Sequence, residues 1–498
     1  MVKTIISVIG IFYLCVSVNN GFGLNSDPND IDPRSLKNWF MRDFKISTER
    51  VTMNDLLKSP GTDWLLYHGD FGANHYSPLS EINRSNVGRL VPKWTYKITD
   101  GANLRSSPIV YRGVMYVTAA NEIHAVDTKT GQWLWLWQAY RERSRGTNRG
   151  VAIYGDKLFF STSDCRLVAL NKQDGNVVWS KKYAEPGKKY FSTMAPLVVK
   201  DKIIIGVANN NTGERGFVAA FSTSDGKELW RFWTLSARTE LLGAPTWLTG
   251  SYDPTTDTIY WPVGTLPDDQ RTDPKLYNTP GAYHDSIIAL NAADGKLKWA
   301  RRLGEYLPID WDSNEPLVLT QIDGKNLILQ ANRNGMFYKI DRDSGKVTLA
   351  KPFIDKLDWK AKYPCPSVRG ATNWMPPSLG RLTGLFYVMA LEGCANKDNR
   401  FFIKAVDPRN LDIKWSYPTR GTNIAAPGVL ATEGNIIFSS EGSGHIVALD
   451  AISGKKLWDF NTGKPIFAAP ISYSAGNHQY ISIVAGSDVY TFGLYSAQ

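Results

Sequence analysis

Two carboxylates on either side of a tryptophan, Asp310 and Asp312, form the stretch of the sequence best suited to acid–base chemistry. They follow Pro308, which ends a predicted strand, so both side chains begin a loop. One carboxylate of such a pair could act as a general base, while the other acts as an acid or a metal ligand. The alternative is ordinary turn chemistry, because Asp is common where a strand passes into a loop.

The elements that position these residues come from a repeat. The stretch Ala448-Leu-Asp-Ala-Ile-Ser-Gly-Lys-Lys-Leu-Trp458 recurs along the chain, and each copy is typical of a strand, a tight turn and a second strand. Asp or Asn opens the turn, and Gly supplies the positive φ that it needs. The other copies run from Ala125 to Trp135, Ala169 to Trp179, Gly226 to Trp230, Ala289 to Trp299, Ala405 to Trp415 and, without the Trp, Lys339 to Gly345.

A motif that returns about every 40 to 70 residues predicts sheets stacked around an axis, because one hairpin cannot bury its own apolar face. Seven copies and an earlier strand ending at Trp94 predict an all-β fold, an eight-bladed β-propeller. The long gaps between Trp230 and Asn291 and between Gly345 and Asp407 are insertions. Insertions in a propeller map to one face, so we expect the site above the middle blades.

Charge narrows the range of partners. The 498 residues include 57 Lys and Arg against 47 Asp and Glu, which gives a formal net charge of +10. The cations are spread along the chain without blocks, so we expect no nucleic-acid binding. An acidic partner protein or an anionic ligand fits the charge better.

The N-terminus has the order of a secretory signal, with Lys3, an apolar run from Ile5 to Val18 and then a short polar stretch. An uncleaved membrane anchor is the alternative, although the run is short for a bilayer span. No second run of this kind follows, so we expect a secreted or periplasmic protein without an integral membrane segment after signal cleavage. The predicted divisions are a signal peptide over 1–23, an N-terminal arm over 24–58 with a short helix near 51–58, and the propeller over 59–498.

Cysteine usage agrees with export. Cys15 lies in the predicted signal, which leaves Cys165, Cys365 and Cys394. In an oxidising compartment, three cysteines most simply give one disulfide and one buried thiol.

The stretch that leads into the first blade carries a family resemblance. It contains Asp63-Trp-Leu-Leu-Tyr-His-Gly-Asp, then His75-Tyr-Ser-Pro-Leu, then Ile82-Asn-Arg-Ser-Asn-Val-Gly-Arg-Leu and Trp94. These motifs closely resemble those that precede the first blade in the pyrroloquinoline quinone (PQQ)-dependent alcohol dehydrogenases. The resemblance covers essentially the whole chain after the signal. It implies four-stranded blades held by tryptophan docking, and PQQ with a metal as cofactors. The sequence has no C-x-x-C-H, so we expect no c-type haem.

The resemblance implies catalytic roles. Asp312 matches the aspartate that takes the alcohol proton and touches the metal. Arg333 matches the cation that hydrogen-bonds the quinone oxygens, where its charge would stabilise the reduced oxygen. By residue type alone, Arg333 is a solvated arginine at a strand edge. Trp247 matches the tryptophan beneath the quinone ring, a flat platform for a flat cofactor.

Further positions match cofactor contacts of the family. Arg149 and Thr193 would pair with cofactor carboxylates, for which the planar fork of Arg is suited. Asn373 matches another contact, and Arg105 stands where the family has a cofactor-contacting Glu. Without the resemblance, the first three are ordinary loop residues.

Cys365 and Cys394 match a disulfide of the family, a structural link rather than a redox site. This pairing would leave Cys165 as the free thiol.

The predicted metal shell departs from the family. Relatives hold calcium or a lanthanide with Glu, Asn and Asp, and the matching positions here are Asn211, Thr265 and Asp312. Loss of the Glu removes one negative charge, so we expect weaker binding of a hard cation. The adjacent Cys-Cys pair of the family reads Arg143-Ser144, which makes the pocket more basic.

Two functions fit the sequence. The first is an exported PQQ-dependent dehydrogenase, in which Asp312 takes the proton of a small alcohol and electrons pass to cytochrome c or another acceptor. The second is a non-catalytic or repurposed propeller that binds an anionic ligand or a partner protein in the same central cleft. The arginines Arg105, Arg143, Arg149 and Arg333 motivate it. A third hypothesis is a different reaction in the same pocket without a quinone, and the sequence does not indicate which reaction that would be.

Overall fold

The computed structural model describes residues 45–98, 104–139, 146–185, 187–209, 214–303, 309–395, 399–420, 427–442 and 444–495. The predicted signal peptide, most of the N-terminal arm and the predicted metal ligand Asn211 lie outside this part of the chain. Within the arm, Thr52 and Asp55 form a capping box that opens helix α1 (Met53–Leu57), where a short helix was expected. Within the described ranges, no helix is long and apolar enough to cross a membrane.

The described residues are mostly strands, each only two to eight residues long. In chain order they are β1 (Tyr76–Ser77), β2 (Leu90–Lys97), β3 (Ile109–Tyr111), β4 (Val114–Ala119), β5 (Glu122–Asp127), β6 (Trp133–Gln138), β7 (Ala152–Tyr154), β8 (Lys157–Ser161), β9 (Arg166–Asn171), β10 (Val177–Lys182), β11 (Leu197–Val199), β12 (Lys202–Gly206), β13 (Phe217–Ser222), β14 (Glu228–Trp233), β15 (Ser251–Asp253), β16 (Thr258–Pro262), β17 (Ser286–Asn291), β18 (Leu297–Arg302), β19 (Val318–Ile322), β20 (Lys325–Ala331), β21 (Met336–Asp341), β22 (Val347–Pro352), β23 (Ser378–Leu379), β24 (Phe386–Glu392), β25 (Arg400–Asp407), β26 (Asp412–Pro418), β27 (Leu430–Thr432), β28 (Ile436–Ser440), β29 (His445–Asp450), β30 (Lys456–Asn461), β31 (Ile471–Ala475), β32 (His478–Ala485) and β33 (Asp488–Leu494). A 3-10 helix, Val87–Arg89, precedes β2.

These strands form eight sheets, which confirms the predicted eight-bladed propeller. Blades one to seven follow along the chain as antiparallel meanders, from β3–β6 to β27–β30. Blade eight joins β31, β32 and β33 to β2 from the start of the chain, so an early strand closes the ring. The two-residue strand β1 adds to blade seven, parallel to β27.

A short turn sequence explains both the hairpins and the packing between blades. In its last copy, the Asp450 carboxylate accepts the backbone N–H of Ser453 at 2.8 Å, and Gly454 takes a φ of +72°. A Cβ on Gly454 would lie 2.7 Å from the indole of Trp415 in the preceding blade. Glycine therefore lets the two blades approach, and Trp415 Nε1 donates to the Ala451 carbonyl at 3.2 Å.

The same contact recurs at other junctions, which confirms the tryptophan docking. The pairs are Trp94 with Gly131, Trp135 with Gly175, Trp179 with Gly226, Trp230 with Gly295 and Trp299 with Gly345. The junction between blades five and six differs. Blade five has Leu349 opposite Lys339, at the register position of the tryptophan, and blade six has Leu411 with a φ of +63° in the turn. Both leucines contact one apolar cluster, so the two changes compensate each other.

The core lies between neighbouring sheets. Both faces of β12 are covered, and Ile203, Ile204 and Ile205 on this strand are fully buried. The first strands of the blades, such as β3 and β15, are buried throughout, whereas the last strands, such as β10, are largely exposed. The first strands therefore line the centre of the ring.

Residues 62–77, which we call the plug segment, run along these first strands. The plug segment bonds to Val110 (through Trp64), Tyr252 (Phe71 carbonyl, 2.8 Å), Leu319 (Gly72 carbonyl, 2.8 Å), Leu379 (Asn74 side chain, 2.7 Å) and Ser474 (Thr62 carbonyl, 2.8 Å). These residues belong to or flank the first strands of five different blades. The plug segment thus links the first strands of these blades to one another.

The two predicted insertions are both present. The first, between β16 and β17, contains helices α2 (Asp268–Arg271) and α3 (Pro274–Tyr277). The second, between β22 and β23, carries Cys365, which forms the predicted disulfide with Cys394, their Cα atoms 4.4 Å apart. Cys165 is free and buried, as expected.

Candidate active site

The predicted site residues within the described ranges lie at one end of the propeller. Six of them come shortly before the first strand of a blade: Arg105, Arg149, Thr193, Trp247, Asp312 and Asn373 precede β3, β7, β11, β15, β19 and β23. Thr265 and Arg333 follow the second strands of blades four and five. Because each turn of a meander reverses the chain, the entry to the first strand and the turn after the second strand share one end of a blade. The ring therefore places these side chains around one end of its centre, which we call the mouth.

Asp312 is the most constrained of them. Its Oδ1 accepts the Thr265 backbone N–H at 2.8 Å, and its Oδ2 accepts from Arg333 Nη1 at 3.2 Å. Burial, and the neighbouring carboxylate of Asp310, raise the pKa of Asp312 to about 6, while Arg333 opposes the shift. Asp312 is thus a buried carboxylate that changes protonation near neutral pH, which suits a general base.

Arg333 links Asp312 to the second insertion. Its Nη2 donates to the Val368 carbonyl at 3.0 Å and lies 4.0 Å from Asp310 Oδ2. Gly370 has a φ of +77°, and a Cβ there would lie 1.9 Å from Arg333 Cγ. The close passage of the backbone at Gly370 fixes the direction of Arg333, a constraint that sequence reasoning missed.

Trp247 is held on both sides. Its Nε1 lies 3.4 Å from Asp312 Oδ2, and 3.0 Å from the Asn314 amide oxygen in the amide orientation that satisfies the neighbours of Asn314. The shorter contact makes Asn314 the main acceptor. The Arg149 guanidinium lies over the indole, with Cζ 4.9 Å from the ring centroid. Arg149 also donates to the Thr193 carbonyl at 3.0 Å, so the structure brings Trp247, Arg149 and Thr193 together.

A second indole, Trp374, lies between two arginines. The Cζ of Arg105 is 4.9 Å from its ring centroid, and that of Arg149 is 5.7 Å away. Arg105 also lies 5.4 Å from the ring of Phe467 and donates to Thr147 Oγ1 at 2.6 Å. The mouth is therefore lined by alternating guanidinium and aromatic groups.

Both guanidiniums lack an acidic partner. Within the described ranges, Arg105 and Arg149 form no ion pair, and their buried Nε atoms have no hydrogen-bond partner. Burial lowers the pKa of Arg149 to about 10 and also lowers that of Arg105. A desolvated cation without a counter-charge is unfavourable, so these two residues form a site ready for an anion.

Asn373 is brought to the same place, but its side chain is used locally. Its Oδ1 accepts the backbone N–H of Trp374 at 3.0 Å. The predicted contact residue therefore helps to place Trp374, and its own role in ligand binding stays a prediction.

The predicted metal shell is only partly described, because Asn211 lies outside the described residues. The Thr265 hydroxyl donates to Asp285 Oδ2 at 3.1 Å, and both oxygens of Asp312 already accept hydrogen bonds. Within the described ranges, no three His, Cys, Asp or Glu side chains group as metal ligands would. These donors alone do not fit a hard divalent cation, which prefers several unengaged oxygens.

Behind Thr265 lies a buried pair that sequence reasoning missed. His284 Nδ1 is 2.9 Å from Asp285 Oδ2, and His284 Nε2 is 2.9 Å from the Tyr277 carbonyl. Both ring nitrogens thus lie within hydrogen-bond distance of an oxygen, one from a carboxylate and one from the backbone. A buried histidine–aspartate pair thus supports Thr265, because the same Asp285 oxygen accepts from the Thr265 hydroxyl.

Other side chains also escaped sequence reasoning. Phe467 lies four residues before β31, just as Arg105 and Trp247 lie four residues before β3 and β15. This common spacing could have identified Phe467 from the sequence. Trp374 directly follows Asn373 and could have been found by adjacency. Glu315 is buried, both its carboxyl oxygens lack a partner among the described residues, and burial raises its pKa well above the usual range. No motif marks Glu315.

Comparison with known proteins agrees with this geometry. Residues 64–350, more than half of the chain, match the family described as glucose/ethanol/alcohol dehydrogenase, β-propeller domain. The chain belongs to the quinoprotein dehydrogenase family. A second match, to the family described as outer membrane protein assembly factor BamB, covers residues 214–496. That segment consists of the same blades, so the second match concerns the propeller fold.

Relatives in the quinoprotein dehydrogenase family align over most of the chain. The quinoprotein alcohol dehydrogenase PedH of Pseudomonas putida and the quinoprotein ethanol dehydrogenase of Pseudomonas aeruginosa are each 31% identical, over 88% of this chain and 88% of their own. The structure of quinohemoprotein alcohol dehydrogenase ADHIIG from Pseudomonas putida HK5 is 25% identical, with a TM-score of 0.84 over 91% of this chain and 84% of that one. The resemblance inferred from the motifs is confirmed, and with it the class of alcohol dehydrogenase-like oxidoreductases.

Proposed function

We propose that the protein is an exported PQQ-dependent dehydrogenase that oxidises a small alcohol. The observation that carries the proposal is a pair of arginines, the partly buried Arg105 and the buried Arg149, which have only neutral partners and lie against Trp374 and Trp247. Asp312 lies next to the indole of Trp247, with Oδ2 3.4 Å from Nε1 of that ring. Groups suited to an anionic, flat ligand and a carboxylate suited to proton transfer thus lie close together.

PQQ fits these residues because it is a planar ring system bearing carboxylates. Trp247 offers the aromatic face, while Arg149 and Arg105 would pair with carboxylates, and Thr193 and Asn373 flank them. The Nε atoms that lack partners are donors that such carboxylates would satisfy. When bound, PQQ supplies the two-electron oxidant for the alcohol.

The chain supplies the proton acceptor. Asp312 Oδ2 is held by Arg333, and with a pKa of about 6 the carboxylate is mostly ionised at pH 7. It would accept the hydroxyl proton of the alcohol as the substrate is oxidised. Arg333 fixes the orientation of Asp312, and its charge would stabilise negative charge developing on a neighbouring oxygen.

The metal stays a prediction at Asp312, Thr265 and Asn211, with calcium or a lanthanide as the ion. The described donors alone do not fit it, as shown above, so the proton transfer is derived without it. Adding each ion to EDTA-treated protein tests the prediction directly.

Export follows from the predicted signal peptide. Mature protein recovered from the periplasm or medium should begin near Leu24. Recovery of the protein with an intact N-terminus in the cytoplasm would contradict export. The external electron acceptor belongs to this proposal and is a cytochrome c or another carrier.

The test separates binding from turnover. EDTA-treated protein is titrated with PQQ alone, with calcium and with lanthanum, and tryptophan fluorescence and dye-linked oxidation of short primary alcohols are recorded. We expect quenching in the parent and in Asp312→Asn, with turnover lower by at least about 100-fold in the variant. The exposed Asp343→Asn serves as the matched control.

The outcomes decide between the candidate functions. Quenching without turnover under every metal condition would favour the non-catalytic binding propeller. Absence of quenching under every condition would refute the proposal.

A further inference from the structure

The second insertion presents a basic, partly apolar surface on the same face as the site. Six exposed side chains form what we call the rim patch: Lys356, Lys360, Lys362, Tyr363, Val368 and Arg369. Two large side chains in the patch are exposed, Tyr363 by 47% and Val368 by 54%. Exposed apolar groups surrounded by charges are typical of interaction surfaces.

The charge of the rim patch is largely unneutralised. None of its four cations forms an ion pair with another residue of the described ranges, and Lys362 Nζ lies 5.6 Å from the Tyr363 ring centroid. Two carboxylates lie in the same stretch of the chain, Asp355 and Asp358. Asp355 is already 3.6 Å from Lys404 Nζ. The patch therefore offers positive charge to a partner.

The rim patch is rigidly connected to the candidate site. The Val368 carbonyl accepts from Arg333, whose other nitrogen donates to Asp312. The neighbouring Ser367 carbonyl accepts from Trp311 Nε1 at 2.9 Å. The disulfide at Cys365 also fixes the stretch. A partner seated here would thus touch the backbone that holds the site residues.

We propose that the rim patch docks an acidic protein that carries one electron at a time. This rests on the proposed function, because a dehydrogenase must be reoxidised. Conversion of an alcohol to a carbonyl compound releases two electrons and two protons. Two successive encounters, each removing one electron, regenerate the site, and the protons pass to solvent. Lysines around a small apolar centre suit such short-lived complexes, which depend on electrostatic steering.

The experiment uses one acceptor in two charge states. Mitochondrial cytochrome c is basic, and its lysine-succinylated form keeps the haem but is acidic. The patch variant is Lys356→Glu/Lys360→Glu/Lys362→Glu. The matched control is Lys227→Glu/Lys346→Glu/Lys455→Glu, three exposed lysines in turns after third strands, at the opposite end of the propeller.

We expect PQQ-loaded parent protein to reduce the succinylated cytochrome faster than the basic one at low salt. The patch variant should lose about tenfold or more of that rate, with a flatter salt dependence, while the control stays near the parent. Dye-linked turnover should be equal in all three. Equal losses in the patch and control variants, or a preference for the basic cytochrome, would overturn the proposal.

A second measurement does not depend on activity. Carbodiimide crosslinking of the unloaded protein to succinylated cytochrome should join Lys356, Lys360 or Lys362, as read by peptide mass spectrometry. Crosslinks mainly at the control lysines, or binding of the patch to anionic vesicles but not to the cytochrome, would also overturn it. If dye-linked turnover is absent but the crosslinks form, the proposed function fails and the docking surface stands.

Discussion

Replacement of Arg149 by methionine should weaken PQQ binding without destabilising the protein. Arg149 is 4% exposed, and its pKa is lowered by burial from 12.5 to about 10. At about 1.4 kcal/mol per pKa unit, the buried charge costs the ligand-free fold roughly 3 kcal/mol. Against this stand the hydrogen bond to Thr193, about 1 kcal/mol, and the contact with Trp247, about 1–2 kcal/mol. The two sides nearly cancel, so Arg149→Met should melt within about 3 °C of the parent.

The affinity for PQQ should fall clearly, although the stability hardly changes. A charge-assisted hydrogen bond to a carboxylate contributes about 1.5–3 kcal/mol, so its loss should raise the PQQ dissociation constant about 10- to 150-fold. Arg149→Lys keeps the charge but not the planar guanidinium, so its PQQ dissociation constant should lie between those of the parent and of Arg149→Met. Fluorescence titration at fixed ionic strength measures the affinity, and differential scanning fluorimetry measures the melting temperature. The exposed Arg238→Met is the matched control.

The reasoning would be refuted by either of two results. An unchanged dissociation constant would mean that Arg149 does not face the ligand. A melting temperature lower by about 10 °C with unchanged affinity would mean that Arg149 is a structural cation, and that its missing counter-charge has been misjudged.

Three further predictions follow from individual side chains. Because Asp310 raises the pKa of Asp312, kcat/KM should rise with pH through about pH 6, and Asp310→Asn should move this limb to lower pH; an unmoved limb would contradict the coupling. Burial keeps Glu315 neutral while the unfolded chain ionises above pH 4.5, so the parent should lose stability as pH rises. Glu315→Gln should therefore gain in relative melting temperature between pH 5 and pH 9, and an equal loss at both would argue against a neutral acid. Gly454→Ala adds a Cβ against the docked indole, whereas Gly463→Ala meets open space at a similar φ; urea unfolding should show an extra cost of about 1–3 kcal/mol for Gly454→Ala, and equal costs would leave only backbone strain.

The sequence was sufficient for the fold because each blade carries its own signal. Asp450, Gly454 and Trp415 act through local turn geometry and through one contact with the next blade, so the pattern is readable without coordinates. Even the weak copy was informative, since the tryptophan missing at Leu349 is matched by the leucine at position 411. Repeats make a fold predictable because the same physical solution is written many times.

The site was less predictable because its contacts cross blades. The sequence indicated Trp247, Asp312 and Arg333 through family resemblance, but not that Gly370 lets the backbone close over Arg333. Nor did it reveal the pair formed by His284 and Asp285, because adjacent polar residues in a loop have no distinctive spacing. Such features depend on where two loops from different sheets meet, and no local pattern encodes that distance.

The cations of the site follow from this architecture. Arg105, Arg149 and Arg333 come from loops of blades one, two and five, and Arg105 and Arg149 each donate to a loop residue of the next blade. No single segment could hold them together against their mutual repulsion, so the closed ring of sheets must do so. The ligand-free site therefore holds the guanidiniums of Arg105 and Arg149 without acidic partners, and a planar polyanion that pairs with them should raise the melting temperature as its concentration increases. A neutral planar molecule of similar size should raise the melting temperature less, because it would stack on Trp247 and Trp374 yet leave the guanidiniums unpaired and therefore bind more weakly.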